Sequence, residues 1–315
     1  MPTPKSKIKL FAKAATFLFT ISFFIYIIDI KESVAIFKKT NISQLFFPLG
    51  LMCLAVVCQA LRWKTLCPSI KITLWKYTFF VWIGNFYNTI LPSSYGGDIV
   101  KSILFGKKYG NLQETFVNIG LMRIIGLLFQ WFFCLFGIVL YWDQIKIFLN
   151  DNIQLSRFHF LITLFAIIIT FTLLIKFRHK LFKLTLFDII KTKVSSYKRF
   201  LLSILITFII QVLNILITFL FFRAANCPIE FHEVFFFSPI ISTLSILPTN
   251  IGGVGLPSLA VLYLYSTVSG YSPESVTAAL ALTMIISISF NMIGGVWLLF
   301  RQIKPRLFTK ENQTT

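Results

Sequence analysis

Residues 201–222, 234–271 and 276–300 contain no charged side chain. Each run is longer than the about 20 residues that carry a helix across a bilayer. Charged residues make up 13% of the chain and apolar ones 57%, whereas a globular domain carries about 25% charged residues. The chain reads as an all-α polytopic integral membrane protein. About six full spans are expected, near 14–30, 45–61, 117–142, 158–175, 201–222 and 276–300.

Two uncharged regions, 77–97 and 234–270, do not fit that series. One ends in "NTILPSSYGGDIVKS" (88–102) and the other holds "LSILPTNIGGVGLPS" (244–258). Pro92 and Pro248 break a helix and free backbone groups that hydrocarbon cannot satisfy. Such breaks survive at membrane depth only where protein buries them or where they line a wet cavity. Both regions are therefore expected to be re-entrant helical hairpins with the Leu-Pro and Gly-Gly elements at their tips.

Charge placement supports the same topology. The formal net charge is +19, and the basic residues crowd particular segments: the N-terminus, 62–76, 98–115, 176–199 and the tail from Arg301. Segments 143–157 and 223–275 are poor in Lys and Arg. Basic loops mark the cytoplasmic face. All five basic segments share one face only if each hairpin enters and leaves on its own side, with both termini cytoplasmic. Residues 31–44, with Lys31, Lys38 and Lys39 on the expected outer face, are the discordant loop. The positive charge is assigned to orientation and lipid headgroups; no nucleic-acid module is present. A basic start followed by apolar 14–28 resembles a signal peptide, but no small-residue cleavage pattern follows. It is read as an uncleaved first span in the plasma (inner) membrane.

The two hairpins lie 156 positions apart (248 − 92), and the same offset carries Leu45 to Leu201 and Val117 to position 273. The chain thus divides into 1–150 and 151–315, each a span, a span, a hairpin and a span. Three crossings per half place the second half upside down relative to the first. Inverted repeats with broken helices at the midplane are a transporter architecture. A chance coincidence of two Leu-Pro loops is the competing explanation.

Candidate functional residues cluster at these features. Asp98 is placed to cap the helix that follows Gly97. The amides of Gly96 and Gly97 with that helix N-terminus suit an anion, and Lys101 lies one turn on. A plain cap and a headgroup-facing lysine are the structural alternative. Arg123 sits inside an apolar span, where a guanidinium is costly unless it meets a cavity, a partner or a substrate; snorkelling to the interface is the alternative. Gly252, Gly253 and Gly255 offer further amides, and Pro257 suits the first turn of a new helix. Gly294 and Gly295 suit close helix packing. Cys53, Cys58, Cys67, Cys134 and Cys227 lack metal-ligand spacing and read as buried reduced thiols. His159, His179 and His232 are scattered, so neither a metal nor another cofactor is expected. No paired carboxylates, nucleophile motif or P-loop occurs, and no catalytic residue is assigned.

At "ALRWKTL" (with Arg62 and Trp63), "LPSSYGGDIVKS", "LMRIIGLL" (with Arg123 and Gly126) and "LPTNIGGVG", taken in order, the chain resembles the flippase-like membrane family typified by the transmembrane region of lysylphosphatidylglycerol synthase, the multiple peptide resistance factor. The similarity covers most of the 315 residues. It implies movement of a phosphate-bearing, modified or polyprenyl-linked lipid between leaflets, with Arg62 among the site residues. Two departures qualify it. The family commonly has Arg-Glu where this chain has Pro257 and Ser258, and no counterpart of the soluble aminoacyl-transferring domain is present, so lysyl transfer is not implied. The expected activity is that of a lipid flippase rather than an enzyme. The alternative is a membrane enzyme or accessory subunit for lipid-linked sugar or aminoacyl-lipid transfer. Expected partners are a membrane lipid and a lipid-modifying enzyme; a homo-oligomer is compatible with the sequence, and nucleic acid is not expected.

Overall fold

A computed structural model describes residues 40, 42–91, 96–109, 112–140, 197–245 and 256–303. The expected spans 14–30 and 158–175 and the tip residues Pro92, Pro248, Gly252, Gly253 and Gly255 lie outside them. Every described element is helical. In chain order these are α1 (Phe46–Leu66, entered through a 3-10 turn), α2 (Leu74–Ile90), α3 (Gly96–Tyr109), α4 (Leu112–Leu140), α5 (Tyr197–Ala224), α6 (Phe231–Leu244), α7 (Leu256–Leu262) and α8 (Pro273–Ile303). A π-helical turn, Tyr263–Val268, continues α7.

Four helices are long and apolar enough to cross a membrane: Ile42–Leu66, Leu112–Phe133, Tyr197–Ala224 and Pro273–Leu298. They correspond to four of the six expected spans. Local chemistry sets several ends. Ser272 caps α8, its hydroxyl accepting from the Ser275 amide, and Pro273 supplies the first helical residue. Asn226 takes a left-handed conformation after α5, and Cys227 N–H donates back to the Phe222 carbonyl at 3.0 Å. That pattern satisfies carbonyls the helix end would leave orphaned. A reciprocal pair, Glu230 and Glu233, caps α6, satisfying two of the amides that a helix start leaves unpaired.

The shorter helices form two antiparallel pairs. In α2–α3, Asn88 meets Gly97, while Phe80 meets Phe105 and Tyr109. The pair extends over 74–109, well beyond the expected 77–97, because α3 is a full returning limb. Its charged residues Asp98 and Lys101 are buried, so 98–109 is not the basic loop its charge suggested. In α6–α7, Phe237 packs on Tyr265 at 5.3 Å, and Tyr271 donates to Glu233 at 2.6 Å. These contacts close the pair at its base.

Helix α1 runs antiparallel to α5: Arg62 reaches Thr207 at one end, and Leu45 joins the Phe221 and Ala224 cluster at the other. Apolar side chains gain nothing by leaving lipid for protein, so close packing and polar contacts must hold helices together. Trp63, Tyr77 and Phe105 stack at 4.6–5.4 Å and tie α1, α2 and α3. Gly294 and Gly295 let α8 approach α2 so closely that a Cβ at Gly294 would overlap the Trp82 carbonyl, and one at Gly295 the Phe86 ring. This is the close-packing role expected of them. Of the cysteines, Cys67 and Cys227 are buried as expected, but Cys53 is exposed on α1, where a small apolar thiol suits a lipid-facing surface.

Candidate functional site

The α2–α3 pair meets in a very close approach. A Cβ on Gly97 would overlap the Gly84 carbonyl oxygen and the Asn88 side chain. Gly97 has no positive φ, so proximity and not backbone freedom requires glycine here. The Gly97 amide donates to Asn88 Oδ1 at 2.7 Å. That amide, expected to receive an external anion, is already used within the protein.

One turn of α3 then places Asp98 and Lys101 on the same face as this contact. Asp98 is not the expected helix cap: α3 begins at Gly96, and Asp98 lies inside its first turn. Its carboxylate instead pairs with Lys101 Nζ at 2.5 Å and with Arg123 Nε. A carboxylate buried this deeply is stabilised by two cations, each pairing through a charge-assisted hydrogen bond. The Ser102 hydroxyl donates to the Asp98 carbonyl at 2.6 Å. Lys101 is 8% exposed and sits 5.7 Å from the Trp63 ring centre, away from any headgroup-facing position.

Arg123 lies deeper than expected. Helix α4 starts at Leu112, so eleven residues precede Arg123, or about 16 Å at 1.5 Å per residue. Its side chain is 40% exposed although its carboxylate partner is 6% exposed. The guanidinium thus bonds Asp98 and also borders accessible space. Arg62, near the end of α1, donates from Nη1 to Thr207 Oγ1 at 3.2 Å. Its buried Nε has no hydrogen-bond partner among the described residues.

These groups surround a cavity of 290 Å³. Arg62, Asp98, Lys101 and Arg123, four residues singled out from sequence, all line it. Its wall also includes residues that sequence reasoning missed: Gln59 on α1, Asn85 on α2, Gln130 on α4, Gln211 and Asn214 on α5, and Ser242 and Ser245 at the end of α6. Gln211 donates to the Gly126 carbonyl at 3.3 Å, joining α5 to α4. A signal for these existed. Gln130 falls seven residues after Arg123, and Asn214 three after Gln211, so each pair shares one face of an otherwise apolar helix. Pro257 is buried in α7 and does not line the cavity.

The wall carries three cationic side chains and one carboxylate, an excess of two positive charges (3 − 1) among the described residues. Helix pairs α2–α3 and α6–α7 both contribute, each from the end nearest its Leu-Pro segment. Such a chamber can take an anionic group from water and replace part of its hydration with fixed donors. Its one carboxylate is pinned between two cations, an arrangement unsuited to a general base.

The family described as the lysylphosphatidylglycerol synthase TM region matches residues 10–295. No curated protein and no solved structure matches the chain.

Proposed function

The chain belongs to the lysylphosphatidylglycerol synthase transmembrane-region family, and from that premise we propose that it moves an anionic or modified membrane lipid between leaflets. The observation that carries this reading is the cationic cavity lined by residues of α2–α3 and by the end of α6. A phosphate exposed to hydrocarbon would lose its hydration at a cost of several kcal/mol or more. Arg123 is the side chain best placed to meet it, being both deep and open. Arg62 offers unused donor capacity beside it, and Lys101 and Asp98 hold the local geometry.

The architecture favours transport over chemistry. Helices α2 and α3 contain 17 and 14 residues, about 26 and 21 Å of rise. Neither matches the ~30 Å hydrocarbon core, which favours a re-entrant hairpin. The second pair, with α6 of 14 residues, fits the same description. Adding 156 to the bounds of α1 and α2 gives 202–222 and 230–246, close to α5 and α6. With α1 and α5 antiparallel, this supports an inverted repeat whose hairpins meet at the substrate.

The test is leaflet exchange by the purified protein in liposomes, using labelled phosphate-bearing lipids at matched protein levels. Arg123→Gln should retain least activity and Arg123→Lys an intermediate amount, since lysine keeps the charge but loses the planar fork. Lys198→Gln, exposed at the start of α5, should be nearly silent. If Arg123→Gln moves lipid as fast as the parent, this arginine is structural and the path lies elsewhere.

A further inference from the structure

The cavity is not simply a basic hole. Gln59, Asn85, Gln130 and Asn214 bring one carboxamide each from α1, α2, α4 and α5 to its wall. Unlike Gln211, none of the four makes a side-chain hydrogen bond to another described residue. Amides held between membrane-spanning helices ordinarily bond across the helix interface. Four that instead line a shared space of 290 Å³ form a surface suited to a polar occupant. The volume equals roughly ten waters at their liquid share of about 30 Å³ each, enough for one headgroup.

The chemistry of that occupant follows from pairing rules. A carboxamide presents two donors and an acceptor, and a hydroxyl presents both roles in return. An ammonium is a donor only. It would leave the amide NH2 groups unpaired and would stand among Arg62, Lys101 and Arg123, while Asp98 is already committed to two cations. We propose that the cavity selects an anionic, hydroxyl-rich headgroup, a polyol or sugar joined through a phosphodiester, and discriminates against headgroups that carry an ammonium. The arginines hold the phosphate and the carboxamides hold the hydroxyls. The proposal rests on the reading of this cavity as the lipid site.

The experiment uses the full chain in liposomes with three probes sharing one labelled acyl chain: phosphatidylinositol, phosphatidic acid and lysylphosphatidylglycerol. Binding of the same lipids is measured separately by native mass spectrometry. Phosphatidylinositol should bind and exchange about tenfold better than phosphatidic acid, the scale of one or two neutral hydrogen bonds. Lysylphosphatidylglycerol should rank lowest. Gln130→Leu and Asn214→Leu should drive the inositol-to-phosphatidic-acid ratio toward one. Gln130→Asn, which keeps the amide, should retain most of the preference and controls for a packing defect. Equal binding of all three lipids, a preference for the lysyl lipid, a ratio indifferent to the leucine variants or no lipid binding overturns the proposal. Selective binding with exchange no faster than in protein-free liposomes sustains the headgroup inference and sinks translocation. Rapid exchange without discrimination does the opposite.

Discussion

At the scale of single residues, the centre of the molecule is a carboxylate shared by two cations. Asp98 is 4% exposed, and both its partners stand on the cavity wall. Its removal would leave Lys101 buried against Trp63 and Arg123 facing it with no anion between them. Breaking a buried pair by deleting one partner typically costs about 3–5 kcal/mol, because the surviving charge is stranded. Asp98→Asn is therefore expected to lower the melting temperature in detergent sharply. Asp98→Asn combined with Lys101→Met should recover part of the loss, since the more deeply buried of the two cations is gone while the more exposed Arg123 remains. Equal destabilisation of the single and double variants would mean that Asp98 holds α3 by something other than charge. The sequence exposed the members of this cluster, because charges are rare in apolar helices and each is conspicuous. Which of them touch was not legible: Asp98 and Arg123 are 25 positions apart on different helices.

At the scale of elements, glycine decides how near the helices come. The α2–α3 contact at Gly97 and the α2–α8 contact at Gly294 both place a neighbouring carbonyl where a Cβ would sit. Helix α2 is thereby clamped from two directions. Gly97→Ala and Gly294→Ala should each separate the helices they join, lowering stability and activity together. Gly120→Ala provides the contrast. Gly120 lies on α4 with nothing within 4 Å of the added carbon, so the gain in helix propensity, up to about 1 kcal/mol, should appear as a neutral or slightly raised melting temperature. A Gly97→Ala protein as stable and active as its parent would remove the close approach from the account. The glycines stood out in sequence beside Pro92, but their purpose did not. A glycine that frees φ and one that admits a carbonyl look identical until the facing helix is placed.

At the scale of the whole molecule, charge is divided between the two ends. Lys64, Lys71, Lys76, Lys107, Lys108, Lys198 and Arg199 gather where α1 and α3 end and where α2 and α5 begin. The other end carries Arg223 with Glu230, Glu233 and Glu274. On the proposal that the basic end is cytoplasmic, single cysteines in a cysteine-free protein should report a simple pattern to an impermeant thiol reagent. Lys71→Cys and Lys107→Cys, exposed on either side of the α2–α3 pair, should both label from the cytoplasmic face. Arg223→Cys and Ser272→Cys, which flank the α6–α7 pair, should both label from the outer face. Opposite labelling within either couple would make that pair a full crossing and end the re-entrant reading.

The sequence alone determined the class and the order of the elements, since uncharged runs longer than a bilayer leave a chain few alternatives to spanning helices. It also marked the two proline-glycine segments and the buried charges, because each violates the rules of an apolar helix. Tertiary structure decided what those exceptions are for. It turned 98–109 from a loop into the inner limb of a hairpin and gave the Gly97 amide to Asn88. It also brought uncharged amides from four helices to one wall. Glutamine and asparagine carry no charge to make them conspicuous, and the spacing that sets them on one face of a helix does not say which helices that face meets. Only the packing of α1, α2, α4 and α5 against one another converts four unremarkable side chains into one polar surface.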